Sequence, residues 1–226
     1  MFRNYAFGER RLISSEEKKL LYATNNNNYI IMHFPEEEKN DVWRNYLSGF
    51  SWEILDNFGI KTHYIQKLNI REQLVKSTHP YPFSLKVTNI SSPEINKLIG
   101  VPEGTKFDKP LVEWYLTQDS SKNLISQEHI VHFEVTTKEE AEQIKNISLR
   151  VNDVISSYFL SWKLYISEIT LKFGKNEENL VLIDEISPET CKFWNKELDT
   201  EIPKDEAYEK MKEIYKKTNN HNKSDS

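Results

Sequence analysis

Cysteine is almost missing. Cys191 is the only one in 226 residues, which excludes an internal disulfide framework and points to a reducing compartment. A basic excess is missing too. With 30 Lys and Arg against 35 Asp and Glu the net charge is -5, the opposite of the basic stripe a nucleic-acid binder carries. No apolar run reaches membrane-spanning length, and the opening MFRNYAFGERR lacks the apolar stretch of a secretory leader. These absences lead to the expectation of a cytoplasmic protein with no nucleic-acid and no membrane partner. There is also no P-loop, no GxGxxG and no GxSxG, so the common glycine-built phosphate cradles and the nucleophile elbow are excluded.

What remains is a chain rich enough in apolar residues, 38%, to bury a full core as one large domain or two lobes. The most organised stretch is Leu164 to Trp194. Tyr165, Ile169, Leu171 and Phe173 fall on one face and Glu168, Thr170 and Lys172 on the other, the period of a half-buried strand. Gly174 and a polar run turn the chain, and Leu180–Ile183 makes a second, more buried strand ending at the paired acids Asp184 and Glu185. The pattern predicts a long hairpin whose polar face, with Asp184, looks into a cleft. Paired acids at a strand end are also common on ordinary surfaces.

Before the hairpin, strands are expected at Lys18–Ala23, Tyr29–Phe34 and Thr62–Leu68, with a helix over Asp41–Phe58 capped by Asp41. His79-Pro80-Tyr81-Pro82 punctuates the chain, because each proline biases its predecessor away from helix. The domain division is therefore 1–79 as a β-rich lobe, 80–217 as an α/β lobe and 218–226 as a disordered tail. In the second lobe, strands are expected at Phe83–Ile90, Leu111–Leu116 and Gln127–Phe133, and a short helix at Pro93–Leu98. Thr137-Lys138-Glu139-Glu140 has capping-box spacing and opens a helix burying Ile144, Ile147, Val151, Val154 and Tyr158. Asp205–Lys217 reads as a solvated closing helix. His129 and His132, three apart on a strand, would face opposite sides and could not share an ion. Cys191 has no activating neighbour in the sequence and reads as an inert thiol.

Three segments carry a resemblance. LVLIDEISPETCKFW is similar to the strand-Asp-Glu-x-Ser-Pro-Asp-x-x-Arg-x-Trp stretch of SAICAR synthetases, the purine-biosynthesis ligases. Val151-Asn152-Asp153-Val154 followed by ISEITLKFG resembles that family's A-N-D-x-L helix and VDFKLEFG strand. Phe83 to Gly104 follows its strand, helix and glycine turn, with Asn89 and Glu103-Gly104 retained. The resemblance implies a two-lobed α/β fold, with an antiparallel N-terminal sheet lobe and a larger mixed lobe. It also implies a reaction joining aspartate to carboxyaminoimidazole ribonucleotide (CAIR) with ATP and magnesium. On this matching, Lys19 and Asp184 are nucleotide-binding, Asp184 is also a metal ligand, and Asn89 is substrate-binding.

The same matching exposes departures. The family's Asp, Lys and Glu on the hairpin face are here Glu168, Thr170 and Lys172, and an ammonium at Lys172 opposes magnesium. Glu16 and Glu17 stand where the glycine-rich loop has Gly-Lys, so only Lys19 keeps a lysine, and a long loop shrinks to Pro35–Lys39. The R-N-R-A-A-G-S segment becomes Thr88–Glu94 and K-N-D becomes Thr117-Gln118-Asp119. No catalytic residue is assigned. The expectation is a SAICAR synthetase-like protein that is degenerate and inactive or very weak, with the alternative of a working ligase whose site is rearranged. Possible partners are a nucleotide or purine intermediate, a second copy, or a related ligase.

Overall fold

The computed structural model describes residues 10–16, 18–35, 39–117, 123–177, 179–195, 197 and 199–224. In chain order these form β1 (Leu12–Glu16), β2 (Lys19–Ala23), β3 (Tyr29–His33), α1 (Asp41–Asn57), β4 (Tyr64–Lys67), β5 (Glu72–Lys76), β6 (His79–Ile90) and α2 (Pro93–Ile99). There follow β7 (Lys106–Leu116), β8 (Asn123–Ile125), α3 (Gln127–His132), α4 (Lys138–Leu160), β9 (Tyr165–Asn176), β10 (Asn179–Ile183), β11 (Cys191–Asn195), β12 (Thr200–Ile202) and α5 (Lys204–Ser224). No helix among the described residues is long and apolar enough to cross a membrane.

The strands build two antiparallel sheets, the mixed α/β architecture expected. The first runs β1-β2-β3-β5-β4, and the second β12-β11-β9-β6-β7-β8. In the second sheet β9 is shared lengthwise. Its first half pairs with β11 and its second half with β10, the two meeting where the Thr170 amide donates to the Thr190 carbonyl at 2.8 Å. The far edge of β10 is sealed by residues 61–63, through the His63 amide to the Leu182 carbonyl at 2.9 Å. That seal ties the hairpin to the half of the chain carrying the first sheet.

Helix α4 covers the second sheet. Ile144, Val151, Ile155 and Phe159 are fully buried against Phe83, Leu85, Val87, Ile169, Leu171 and Phe173, a period-3.6 stripe on period-2 faces. Ile147, Val154 and Tyr158, expected in that stripe, are only half-buried on its flank. Tyr158 there packs edge-on against Phe50 of α1 and meets the Thr218 hydroxyl at 3.1 Å. Of the expected capping box, one half forms. Thr137 Oγ1 accepts from the Glu140 amide at 3.1 Å, while the Glu140 carboxylate goes to Lys175 and the Thr136 hydroxyl.

Several sequence expectations are corrected. Gln127–His132 is helix α3 and not a strand, because Ser126 and His129 cap each other: Ser126 Oγ accepts from the His129 amide and His129 Nδ1 from the Ser126 amide. His129 and His132 are then one helical turn apart, so facing opposite sides is not what separates them. Both rings lie against Phe133. The N-cap of α1 is Asn40 and not Asp41, whose buried carboxylate faces Arg44 at 3.5 Å. β6 begins at His79, inside the proline-rich punctuation. Its register against β9 shifts between Pro80 and Ser84, which accommodates residues that cannot donate to a ladder. Helix α5 continues through Thr218 to Ser224, where a disordered tail was expected. Glu17, residues 36–38 of the Pro35–Lys39 connector, Gln118, Asp119 and the last two residues lie outside the described set.

Candidate functional site

Asp184 follows β10 with φ 79°, a left-handed backbone that aspartate tolerates better than most non-glycine residues. The turn sends its carboxylate across to β9. There Asp184 Oδ2 meets Lys172 Nζ at 3.1 Å, while Asp184 Oδ1 takes the ammonium of Lys19 from β2 of the other sheet. Lys19 also reaches Glu185 Oε1 at 3.0 Å. Glu185 is held by the Arg44 guanidinium from α1, Nε to Oε2 at 3.2 Å, and by the Ser187 hydroxyl at 2.8 Å. Lys19, Asp184 and Glu185 are all buried, as is Arg44.

Two sheets and a helix thus converge on one chain of alternating charge: Lys172, Asp184, Lys19, Glu185, Arg44. Burial alone would raise the Asp184 carboxyl, but the ammoniums of Lys19 and then Lys172 outweigh it and hold the group well below the usual carboxylate range. Glu185 is also lowered: burial opposes the shift, and Lys19 and Arg44 overcome it, with Asp184 pushing back. Beside them His63 is fully buried, its ring edge-on to Trp52 at 5.6 Å, and burial pushes it down to about 4, so it is neutral at pH 7.

A second charge pattern crosses the polar face of the larger sheet. Lys192 of β11 lies 3.8 Å from Glu168 of β9, Glu168 lies 3.8 Å from Lys86 of β6, and Lys86 lies 2.8 Å from Glu113 of β7. Positive and negative alternate over four neighbouring strands. Register places Lys86 directly opposite Thr170, and Thr88 directly opposite Glu168. A shallow cleft beside this ladder is lined by Ser91, Ser92, Glu168, Lys192 and Glu201. The Ser92 hydroxyl there is occupied in capping α2, accepting from the Ile95 amide at 3.4 Å.

Of the residues singled out from sequence, Lys19 and Asp184 are brought into direct contact, and Lys172 pairs with the other oxygen of Asp184. Asn89 is not in this cluster. Its amide exchanges hydrogen bonds with that of Asn152 on α4, at 2.8 and 2.9 Å, and donates to the Ile166 carbonyl at 3.1 Å. It clamps β6 to α4 and β9. Cys191 is buried, and burial pushes its thiol up to about 12. Arg44, His63 and Lys86 went unnoticed. The available signals were an arginine among the small polar residues of α1 and a lone lysine at an alternating position of Phe83–Ile90.

The comparisons agree with this architecture. The SAICAR synthetase family profile matches residues 19–225. The phosphoribosylaminoimidazole-succinocarboxamide synthase of Caldanaerobacter subterraneus subsp. tengcongensis is 37% identical over 169 residues, 74% of this chain and 72% of its own. The crystal structure of the Ehrlichia chaffeensis synthase superposes with a TM-score of 0.84 at 32% identity, covering 92% of this chain and 98% of that one. A SAICAR synthetase in complex with ADP gives 0.82 at 26% identity, over 91% and 96%. By profile, by sequence identity and by fold, the chain belongs to the SAICAR synthetase family.

Proposed function

We propose that this chain is a SAICAR synthetase-like protein in which ATP-dependent joining of aspartate to CAIR is lost or reduced to a trace. On this reading two lobes, divided near residue 79, keep a cleft that can hold a nucleotide or a purine intermediate. The observation that carries it is the capture of Asp184. Magnesium wants about six oxygen ligands, and carboxylates are its usual protein anchors. Here both oxygens of the matched carboxylate are held by ammoniums, and the partner position on β9 is itself an ammonium, Lys172. A magnesium ion at a nucleotide takes one or two protein carboxylates beside phosphate and water oxygens, and both oxygens of this one are already engaged. The residues present do not fit the ion.

The substrate side points the same way. Glu168 and Glu201 line the Ser91–Ser92 indentation with Lys192, Lys86 is engaged by Glu113 and Glu168, and Glu94 stands at the start of α2, an unwelcoming surround for a phosphate. One observation favours the rearranged-site alternative. Lys86 faces Thr170 across the β6–β9 ladder and returns an ammonium to the spot where the resemblance puts the family's lysine. That its relatives include proteins named as synthases favours it as well. The deciding experiment is ligation of aspartate to CAIR by the purified protein with ATP and magnesium, followed by product absorbance and ADP release. We expect no turnover above a protein-free blank. Turnover abolished by Lys86→Met would establish the rearranged site instead.

A further inference from the structure

A sizeable cavity lies away from both charge clusters. About 660 Å³ in volume, it opens between the turn joining α4 to β9, the β11–β12 hairpin and α5. Tyr165 at its edge is seven residues from Lys172 along β9, about 23 Å at ~3.3 Å per residue, so this is a separate site. The volume falls within the range of small-molecule pockets. Its floor is apolar and buried: Leu164, Ile202 and Ile214. One wall is the indole of Trp162, 38% exposed, a large aromatic surface left facing solvent.

The rim is cationic on balance. Lys163, Lys210 and Lys217 stand against Glu197 and Glu213. Lys210 and Lys217 fall seven residues apart on α5, two turns, with Ile214 between them on the same face. Lys217 Nζ sits 5.9 Å from the Trp162 ring centroid. Lys163 holds a left-handed backbone, φ 59°, fixed by its amide to the Leu160 carbonyl at 2.9 Å. Glycine or asparagine would take that conformation at lower cost, yet the position carries a long cation beside the cavity.

We propose that this cavity is a binding site for a flat, amphipathic organic anion. The ring system lies against Trp162 over the Leu164, Ile202 and Ile214 floor, and the anionic group meets Lys163 and Lys217. An apolar floor supplies affinity, and two ammoniums at one end orient the ligand. The site uses no residue of the Asp184 cluster, so it stands or falls independently of the proposed loss of ligation.

The test uses 8-anilinonaphthalene-1-sulfonate, an aromatic sulfonate of this chemistry, titrated into the full chain while near-ultraviolet circular dichroism verifies native packing. The expected result is one saturable site per chain with a Kd on the order of tens of micromolar. Lys163→Glu/Lys217→Glu should weaken it at least ~tenfold, and Trp162→Ala comparably. If Trp162→Ala fails to fold, the charge variant decides alone, since both its positions are exposed. Absence of saturable binding to the native chain overturns the proposal. So does binding whose affinity is unchanged in the charge variant.

Discussion

Lys172→Glu replaces the ammonium on Asp184 by a second carboxylate on the same face of the hairpin. Lys172 Nζ lies 3.1 Å from Asp184 Oδ2, which at an effective dielectric of ~20 corresponds to an attraction of about 5 kcal/mol. Much of this is offset by the desolvation of the pair, and Lys172, 22% exposed at its side chain, remains partly screened. Asp184 also keeps Lys19. A net destabilisation of about 3 kcal/mol follows, which for a chain of this size lowers Tm by roughly 6–12 °C. The two carboxylates then give a hard cation the oxygens it now lacks. At magnesium tenfold above its Kd the variant should regain about 1.4 kcal/mol, or roughly 3–6 °C. The assay is a magnesium titration of Tm at matched ionic strength, with Lys172→Met as the control that loses the pair without gaining a ligand. Wild type and Lys172→Met should move by less than about 1 °C, far below the variant's response. Magnesium stabilisation of the wild type as large as that of Lys172→Glu would refute the reasoning, because Lys172 could not then stand at the metal position.

Val151 is fully buried beneath the sheet, so Val151→Asp should cost about 4 kcal/mol or more; a cooperative, soluble variant with unchanged Tm would remove α4 from the core. His63 is neutral in the folded chain down to about pH 4 but ionises near 6.5 when unfolded. The unfolded state therefore binds more protons between these values, and stability falls as pH drops through that window, by about 3 kcal/mol in all. Denaturant midpoints at pH 7 and 4.5 should show the fall, and His63→Phe should shrink it; an identical fall in the variant would disprove the assignment. Lys19→Met leaves Asp184 and Glu185 adjacent without the cation between them, at a cost of about 3–5 kcal/mol at pH 7. The repulsion raises a carboxyl pKa above its unfolded value, so this deficit should narrow on acidification. A deficit constant from pH 7 to 5 would count against the shared bridge.

Local period carried the hairpin, α1 and α4, because each has one apolar face, whereas α5, expected as a solvated helix, buries Ala207, Tyr208, Met211 and Ile214 in the core. Where two local signals competed, the chain was harder to read. Gln127–Phe133, with the β-branched pair Ile130-Val131, reads as a strand candidate, yet the reciprocal Ser126–His129 cap makes it helical. In β9 the β11 register slips between Lys192 and Phe193, so Ile166 and not Tyr165 takes the buried place. Lys19 and Asp184 were reachable through the resemblance, since each matches a family position. Arg44 and Lys86 left only a lone basic residue in an otherwise uncharged stretch, and His63 left nothing, because their roles come from partners 141 residues away, from cross-strand register and from burial. The start of β6 was obscured by proline, which its register shift absorbs.

The alternation of Lys192, Glu168, Lys86 and Glu113 over four strands also governs what the cleft can feel from a distance. Opposite charges a few ångströms apart make small dipoles whose fields cancel well inside the ~8 Å Debye length of physiological salt. A phosphate-bearing molecule drifting toward the ladder would feel no pull from it, and close in it would meet the acids Glu94 and Glu201 beside it. Capture there proceeds without electrostatic focusing, at the roughly 10⁵–10⁶ M⁻¹s⁻¹ of unsteered encounters, and is nearly indifferent to ionic strength.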